Sequence, residues 1–427
     1  MSKGFKKYLI DGFLIGSALF SMFFGAGNMI FPPYLGFKAG SEWLLAFISY
    51  FIADIGLALL AIFSLIKTGS NNELLKPLGK IPSFLLMFSV FMCIGPLITI
   101  PRTAATTYEL AIKPLGSNFS TIIFFIIFFT IVFLLCYNKS SVVDIVGKFL
   151  TPLLFLGLIF LIVLGIIYQF NDVDIASRSQ NIIADGIEAG YQSMDVLGAM
   201  VFGILVLNAF RQKGYTEPRG KLKIFGVSGL VAGGGLLVIY LGLTYLGACV
   251  APNYTMHISR TELLINIVNT LIPGKTGIVF FGIIAGLACL STAIALTCAS
   301  AEYLSELTKG KIKYKTFVIA ICIFDIAVSL LGVEGLIMLA SPILSVIYPP
   351  ILITVILSLF KKQIGVYTFI LSAVAAFLFS VIDVLNFRFI YTIPLARYGF
   401  AWLLPTVALF LVGFTIDKLS HKKRALQ

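Results

Sequence analysis

Charge is scarce in this chain: 12% of its 427 residues are Asp, Glu, Lys or Arg, about half of what soluble domains carry. No polar stretch is long enough to form a separate soluble domain. There are two histidines, His257 and His421, and both fall in gaps between apolar runs, which argues against a buried histidine proton relay. The six cysteines, Cys93, Cys136, Cys249, Cys289, Cys298 and Cys322, lie in or at the ends of apolar segments without metal-ligand spacing. They read as small packing residues, so neither a disulfide framework nor a metal cluster is implied. A His-Glu-x-x-His pattern is absent as well, and no paired catalytic constellation replaces it, so the chain does not read as an enzyme.

What the chain has instead is hydrophobicity, with 59% apolar residues and a mean hydropathy of +1.03. This is the composition of an all-α polytopic membrane protein. Apolar segments long enough to span lie at 8–36, 43–66, 83–112, 119–137, 146–168 and 186–210, and again at 224–250, 277–307, 317–331, 336–360, 366–382 and 401–416. Twelve transmembrane helices are therefore expected, with both termini on one side. Of the 31 Lys and Arg residues, 23 fall at the ends and in the gaps that would share that side. By the positive-inside rule both termini face the cytoplasm. The net charge of +12 then follows from topology and contact with the anionic lipid bilayer, and no nucleic-acid partner is needed. Lys3, Lys6 and Lys7 precede a first apolar run that is too long for a signal peptide and lacks a small-residue cleavage site, so it reads as retained.

The stretch Ser21 to Pro33, Ser-Met-Phe-Phe-Gly-Ala-Gly-Asn-Met-Ile-Phe-Pro-Pro, organises the rest. It sits mid-span and is poor helix material. Gly25 and Gly27 each weaken a helix by roughly 1 kcal/mol relative to Ala, Asn28 is polar, and Pro32 lacks an amide hydrogen. Close helix packing would account for the glycines but not for Asn28 or the paired Pro32 and Pro33. Broken backbone at membrane depth is tolerated where protein or a water-filled cavity satisfies it, so the break reads as a site.

A second interruption comes five spans later, in Gly190-Tyr-Gln-Ser-Met-Asp-Val-Leu-Gly-Ala199, where Gln192, Ser193, Asp195 and Gly198 break an apolar run. Five is an odd offset, so the two breaks have opposite orientation. Interrupted segments in corresponding positions of two halves point to the binding site of a secondary transporter. Half-helix amino termini suit a carboxylate and carboxy termini suit a cation, so a zwitterion accompanied by a small cation fits.

In the eighth span, Ser291 and Thr292 carry hydroxyl oxygens that can join backbone carbonyls around a hard cation such as sodium, or bond back to their own helix. Asp195 is the strongest ionisable candidate, as a ligand for a substrate amine or for the coupling ion. Arg102 reads as a partner of Asp195 or Glu109, or as a carboxylate ligand, and Asp54, Asp325 and Asp383 as interhelical or interface contacts. The gap 171–188 is acidic, with Asp172, Asp174, Asp185 and Glu188, and Ser259-Arg-Thr-Glu262 is a capping box that opens an amphipathic surface helix.

Phe-Phe-Gly-Ala-Gly-Asn-Met-Ile-Phe-Pro-Pro (23–33), the Gly-Pro and Ile-Pro-Arg-Thr-Ala pieces of the third span (95–104) and Tyr-Gln-Ser-Met-Asp (191–195) resemble the bacterial branched-chain amino acid:cation symporter family, carriers of leucine, isoleucine and valine. The resemblance covers essentially the whole chain and places it within the amino acid, polyamine and organocation superfamily. It implies a LeuT-like fold in one transmembrane domain, 1–427, with inverted repeats at 8–168 and 186–360 and two further helices and a cytoplasmic tail in 361–427. Together with the residue reading it gives a substrate site at Phe23, Gly25, Ala26, Gly27, Asn28, Arg102, Gln192, Ser193 and Asp195; the resemblance itself implies the amides of Ala26 and Gly27 at the carboxylate, and Asn28 with the Phe23 carbonyl near one cation position. A sodium position is implied at the carbonyls of Ser21, Phe24 and Ala288 and the hydroxyls of Ser291 and Thr292. Asp195 departs from the LeuT-type pattern, and there a direct contact to the substrate amine stands as the alternative to that family's other cation position.

The expected activity is import of branched-chain L-amino acids across the bacterial cytoplasmic membrane by alternating access, coupled to sodium or to protons, with no cofactor besides the coupling ion. The rival readings are a same-fold carrier for a nucleobase or aromatic amino acid, a membrane enzyme, and a channel.

Overall fold

The computed structural model describes residues 3–116, 119–137, 142–168, 173, 175–361 and 363–425, without the side chains of 3–5, 142–151 and 421–425. Asp172 and Asp174 lie outside the described residues. Among the described residues the fold is all-helical.

The first apolar segment forms two helices. α1 (Lys3–Phe23) ends at the glycine-rich stretch, and α2 (Ala26–Ala39) begins after Gly25, whose backbone is extended (φ −131°, ψ −167°). The Asn28 carboxamide oxygen accepts the Gly25 amide at 3.1 Å, so a side chain replaces a missing helical acceptor. Pro32 and Pro33 sit inside α2 and remove the donors that would reach the carbonyls of Asn28 and Met29.

The next apolar run is α3 (Trp43–Phe51), one π-helical turn (Ile52–Gly56) and α4 (Leu57–Thr68), which ends on Gly69 in the left-handed region (φ 89°). A short α5 (Asn71–Leu75), capped by Ser70, leads to α6 (Lys80–Met92). A second π turn (Cys93–Leu97) contains Pro96 and a non-helical Gly95, and it is followed by α7 (Thr99–Thr107) and a third π turn (Tyr108–Ile112). α8 (Thr121–Tyr137) and α9 (Val142–Ile167) complete the first half.

A second interruption follows later in the chain. α10 (Ile182–Ser193) stops at Met194, which is left-handed (φ 66°, ψ 20°), and α11 (Asp195–Gln212) begins at the next residue. A left-handed methionine is uncommon and costs of order 1–3 kcal/mol, so the surroundings hold the break in place. Two long helices, α12 (Pro218–Val250) and α14 (Lys275–Leu307), flank the surface helix α13 (Arg260–Leu271). At the start of α13 the Ser259 half of the expected capping box forms, its Oγ accepting the Glu262 amide at 3.3 Å, and the apolar face of the helix is buried. α15 (Tyr314–Ser329), α16 (Gly332–Ser358), α17 (Val366–Val384) and α18 (Leu403–Ala425) follow.

Among the described residues, eight helical stretches are long and apolar enough to cross a membrane: Ala26–Thr68, Lys80–Leu115, Ile182–Gln212, Pro218–Asn253, Lys275–Leu307, Gly332–Ser358, Val366–Val384 and Leu403–Ser420. The sequence gives twelve apolar segments. The difference lies in the first, which splits at its glycines, and in apolar helices that are short, such as the 17-residue α8 and the 16-residue α15. Large apolar side chains face outward, among them Leu230, Met338 and Ile323, each more than 60% exposed. A lipid-facing exterior accounts for so much uncovered apolar surface.

α2 and α12 cross at very short range. A Cβ at Gly36 would stand 1.8 Å from the Thr244 carbonyl oxygen, and one at Gly247 would stand 1.8 Å from that of Pro33. Glycine at both positions is what lets the two backbones touch. This crossing seats the first break against the middle of α12, where Tyr240 is fully buried.

Candidate substrate and cation site

The two interruptions face one cavity. Its walls include Phe23, Gly25, Ala26, Gly27 and Asn28 from the first break and Ser193, Met194, Asp195 and Gly198 from the second, with Thr99 and Arg102 of α7 and Thr292 and Leu296 of α14. The cavity is small, about 30 Å³, against roughly 300–1,000 Å³ for open ligand pockets. The free amides at the start of α2 and the positive end of that helix's dipole belong to the same wall.

Asn28 ties the breaks together. Its carboxamide nitrogen donates to Asp195 Oδ2 at 3.1 Å and to the Tyr240 hydroxyl, while its oxygen holds the Gly25 amide. Asp195 is the first residue of α11 and 5% exposed, so its carboxylate sits where the helix dipole favours negative charge. Ser193 reaches Tyr50 on α3, oxygen to oxygen at 2.9 Å, and the rings of Tyr50 and Tyr240 meet edge to face at 5.3 Å.

Arg102 is 1% exposed, and its Nη1 donates to the Gln192 carbonyl at 2.7 Å, capping the broken end of α10. Its guanidinium lies over the Phe31 ring at 5.6 Å and against Gly27, where a Cβ would meet Nη2 at 2.9 Å. The partner expected from the sequence is corrected here. Among the described residues no carboxylate comes within salt-bridge distance of Arg102, and Glu109 instead accepts from Thr261 Oγ1 at 2.5 Å and the Val333 amide at 2.9 Å. Asp54 and Asp325, expected as interhelical contacts, are fully buried with neither carboxylate oxygen hydrogen-bonded.

Of the substrate residues named from the sequence, Phe23, Gly25, Ala26, Gly27, Asn28, Arg102, Ser193 and Asp195 line the cavity. Gln192 does not; it borders a second hollow of about 140 Å³ beside α16, with Glu188, Asp383 and Trp402. Of the cation residues, Thr292 lines the central cavity and comes within 3.9 Å of a Cβ built on Gly25, while Ser21, Phe24, Ala288 and Ser291 lie outside its lining. The hydroxyls of Ser291 and Thr292 both donate to the Ala288 carbonyl, at 2.8 and 3.1 Å. Each hydroxyl oxygen keeps its acceptor lone pairs.

Sequence reasoning missed the tyrosines. Tyr50, Tyr240 and Tyr348 are fully buried around the breaks, and each sits in an apolar run where a single hydroxyl gives no periodic signal. The non-helical turn at Gly95 was also unmarked, though Gly95-Pro96 is a turn pair that could have found it.

The family model for "Branched-chain amino acid transport protein" matches residues 9–420. The chain belongs to this family. It is 34% identical to the branched-chain amino acid permease BrnQ of Escherichia coli, over 97% of both chains. It is 33% identical to the branched-chain amino acid transport system 3 carrier protein of Pseudomonas aeruginosa, over 96% of this chain and 97% of that one. It is also 32% identical to BrnQ of Bacillus subtilis, over 95% and 96%. Among solved structures it is similar to the inward-facing conformation of Mhp1, with a TM-score of 0.65 at 12% identity, covering 96% of this chain and 91% of that one. A sodium-coupled sialic acid symporter in a substrate-bound outward-open state gives a TM-score of 0.54 at 13% identity, with 96% of each chain covered. These are LeuT-like transporters, and the likeness fixes the fold class of this member of the branched-chain amino acid transport family. It is a multi-pass membrane transporter, and its relatives are named as permeases and carriers, not enzymes.

Proposed function

We propose that this chain imports branched-chain L-amino acids into the bacterial cell as a symporter, with sodium as the coupling ion. Twelve spans, both termini in the cytoplasm, and inverted repeats at 8–168 and 186–360 complete the reading. The observation that carries it is the pair of helix interruptions meeting across one buried cavity through the Asn28–Asp195 hydrogen bond. The names of the relatives supply the substrate class.

In this reading the substrate carboxylate meets the amides of Ala26 and Gly27 beside Arg102, and the amine meets Asp195. The side chain lies toward Ile94, Phe202 and Leu296, which give the cavity its apolar wall. A pocket of this kind binds leucine, isoleucine and valine within a narrow range, since one methylene is worth about 1–3 kcal/mol. Sodium sits beside Thr292 and Ser291, with the carbonyls of Ser21, Phe24 and Ala288 completing an oxygen shell. Rocking of the helices that carry the breaks exposes the cavity to one side and then the other.

Uptake of radiolabelled leucine into proteoliposomes, with sodium and proton gradients imposed separately, tests the reading. Accumulation that follows the sodium gradient and is competed by valine but not by a nucleobase supports it. Accumulation driven by the proton gradient alone removes sodium from the scheme.

A further inference from the structure

Asp54 is the anomaly beside the site. It lies on the π turn between α3 and α4, is 0% exposed, and has neither oxygen hydrogen-bonded. π turns inside helices recur at functional positions. Its carboxyl lies against Tyr50, Tyr240 and Asp195, with Arg102 as the nearest basic group. The Tyr348 hydroxyl, on α16, faces both Asp54 and Asp195 and is itself buried without a hydrogen-bond partner. Asn28 meets Asp195 from α2, and Tyr191 of α10 stacks on Tyr348 at 4.4 Å. These are the charged and titratable groups that face the pair.

The charge count is uneven. Arg102 is one buried cation, and Asp54 with Asp195 makes two buried carboxyls. Asp195 accepts from Asn28, starts a helix and lines the cavity, so its negative charge is supported. Asp54 has none of these supports. An ionised carboxylate is acceptor-only and holds its charge in a low-dielectric interior only with donors or a counter-ion. Two neighbouring carboxyls that share one site do not both ionise.

We infer that Asp54 is a protonated carboxyl that sets the charge of the substrate site: it holds one proton behind Asp195, leaving Asp195 as the single negative charge that balances Arg102 and receives the substrate amine. Asp54 does not line the cavity and acts through Asp195, so it is a positioning residue. The inference rests on the proposed reading of Asp195 as the amine ligand. Ionisation of Asp54 adds a second negative charge behind that ligand, turns the pocket anionic and repels the substrate carboxylate.

The test uses the full-length carrier in detergent or nanodiscs, with leucine binding measured by scintillation proximity and carboxyl protonation by infrared difference spectroscopy. Asp54→Asn, which mimics the neutral carboxyl, is expected to bind leucine within about threefold of the native protein and to lose any weakening of binding at alkaline pH. A carboxylic-acid carbonyl band that shifts on leucine addition is expected in the native protein and absent from Asp54→Asn. Loss of leucine binding by more than tenfold in Asp54→Asn, with the protein folded by size-exclusion and thermal unfolding, overturns the inference. So does a native leucine-induced spectrum without that band. Asp195→Asn serves as the separate check: if it keeps native leucine affinity, the amine-ligand reading fails, whereas the band alone decides whether Asp54 carries the proton.

Discussion

Asn28 and Asp195 stand 167 positions apart in the chain and meet at 3.1 Å, each within the first turn of the helix that restarts after a break. One amide side chain thereby closes the gap in its own segment and reaches across to the other. The two interruptions act as one unit because of it.

Asn28→Ala removes three hydrogen bonds at once, the buried ones to Asp195 and Tyr240 and the partly buried one to Gly25. Each group left unpaired costs about 1–3 kcal/mol. We expect a lowered unfolding temperature together with at least a tenfold loss of leucine uptake. Asn28→Asp replaces a donor by an acceptor opposite Asp195 and should be worse than Asn28→Ala in both assays.

Gly27 leaves room for Arg102. A methyl group there would meet Nη2 at 2.9 Å and the Phe31 ring at 3.2 Å. Gly27→Ala should cut leucine uptake by more than tenfold at normal membrane abundance, because the guanidinium is displaced from the amides at which the substrate carboxylate is proposed to bind. Gly226→Ala, with nothing within 4 Å of the new carbon, is the control and should transport normally.

Thr292→Ala removes one of the two hydroxyls that donate to the Ala288 carbonyl and leaves that of Ser291 in place. The sodium concentration for half-maximal uptake should rise about tenfold or more, with the leucine KM at saturating sodium changed by less than threefold. Equal losses in both would count against the cation role.

Arg260 fastens the start of α13. Its amide donates to Glu334 at 3.0 Å, its guanidinium pairs with the same carboxylate, and it lies over the Tyr34 ring at 4.5 Å. Arg260→Ala should speed amide hydrogen exchange across 259–271 by at least tenfold and leave exchange in α12 unchanged.

Much of the site was legible because broken helices leave strong marks. Gly25, Gly27, Asn28 and the two prolines stand out in an apolar run, and the helix does stop beside them. Asp195 was visible for the same reason, since a lone carboxyl inside an apolar segment has few structural excuses. Pairings were harder. Arg102 found a backbone carbonyl, which no side-chain pattern announces, and so the carboxylates proposed for it have other surroundings. Segment counting also failed to show where α1 gives way to α2, because hydropathy is continuous across a break that backbone geometry makes abrupt. Tyrosine hydroxyls were invisible altogether, as Tyr50 and Tyr240 read as ordinary bulk until the fold brings them together.

The glycine crossing at Gly36 and Gly247 has a mechanical corollary. With no side chain between them, two backbones in contact offer no layer that can shear, so α2 and α12 form a single lever. Asn28 and Tyr240, one on each arm, then keep their register whichever face of the membrane the cavity opens to. In the alternating-access cycle proposed for this chain, sliding then takes place somewhere other than at this crossing.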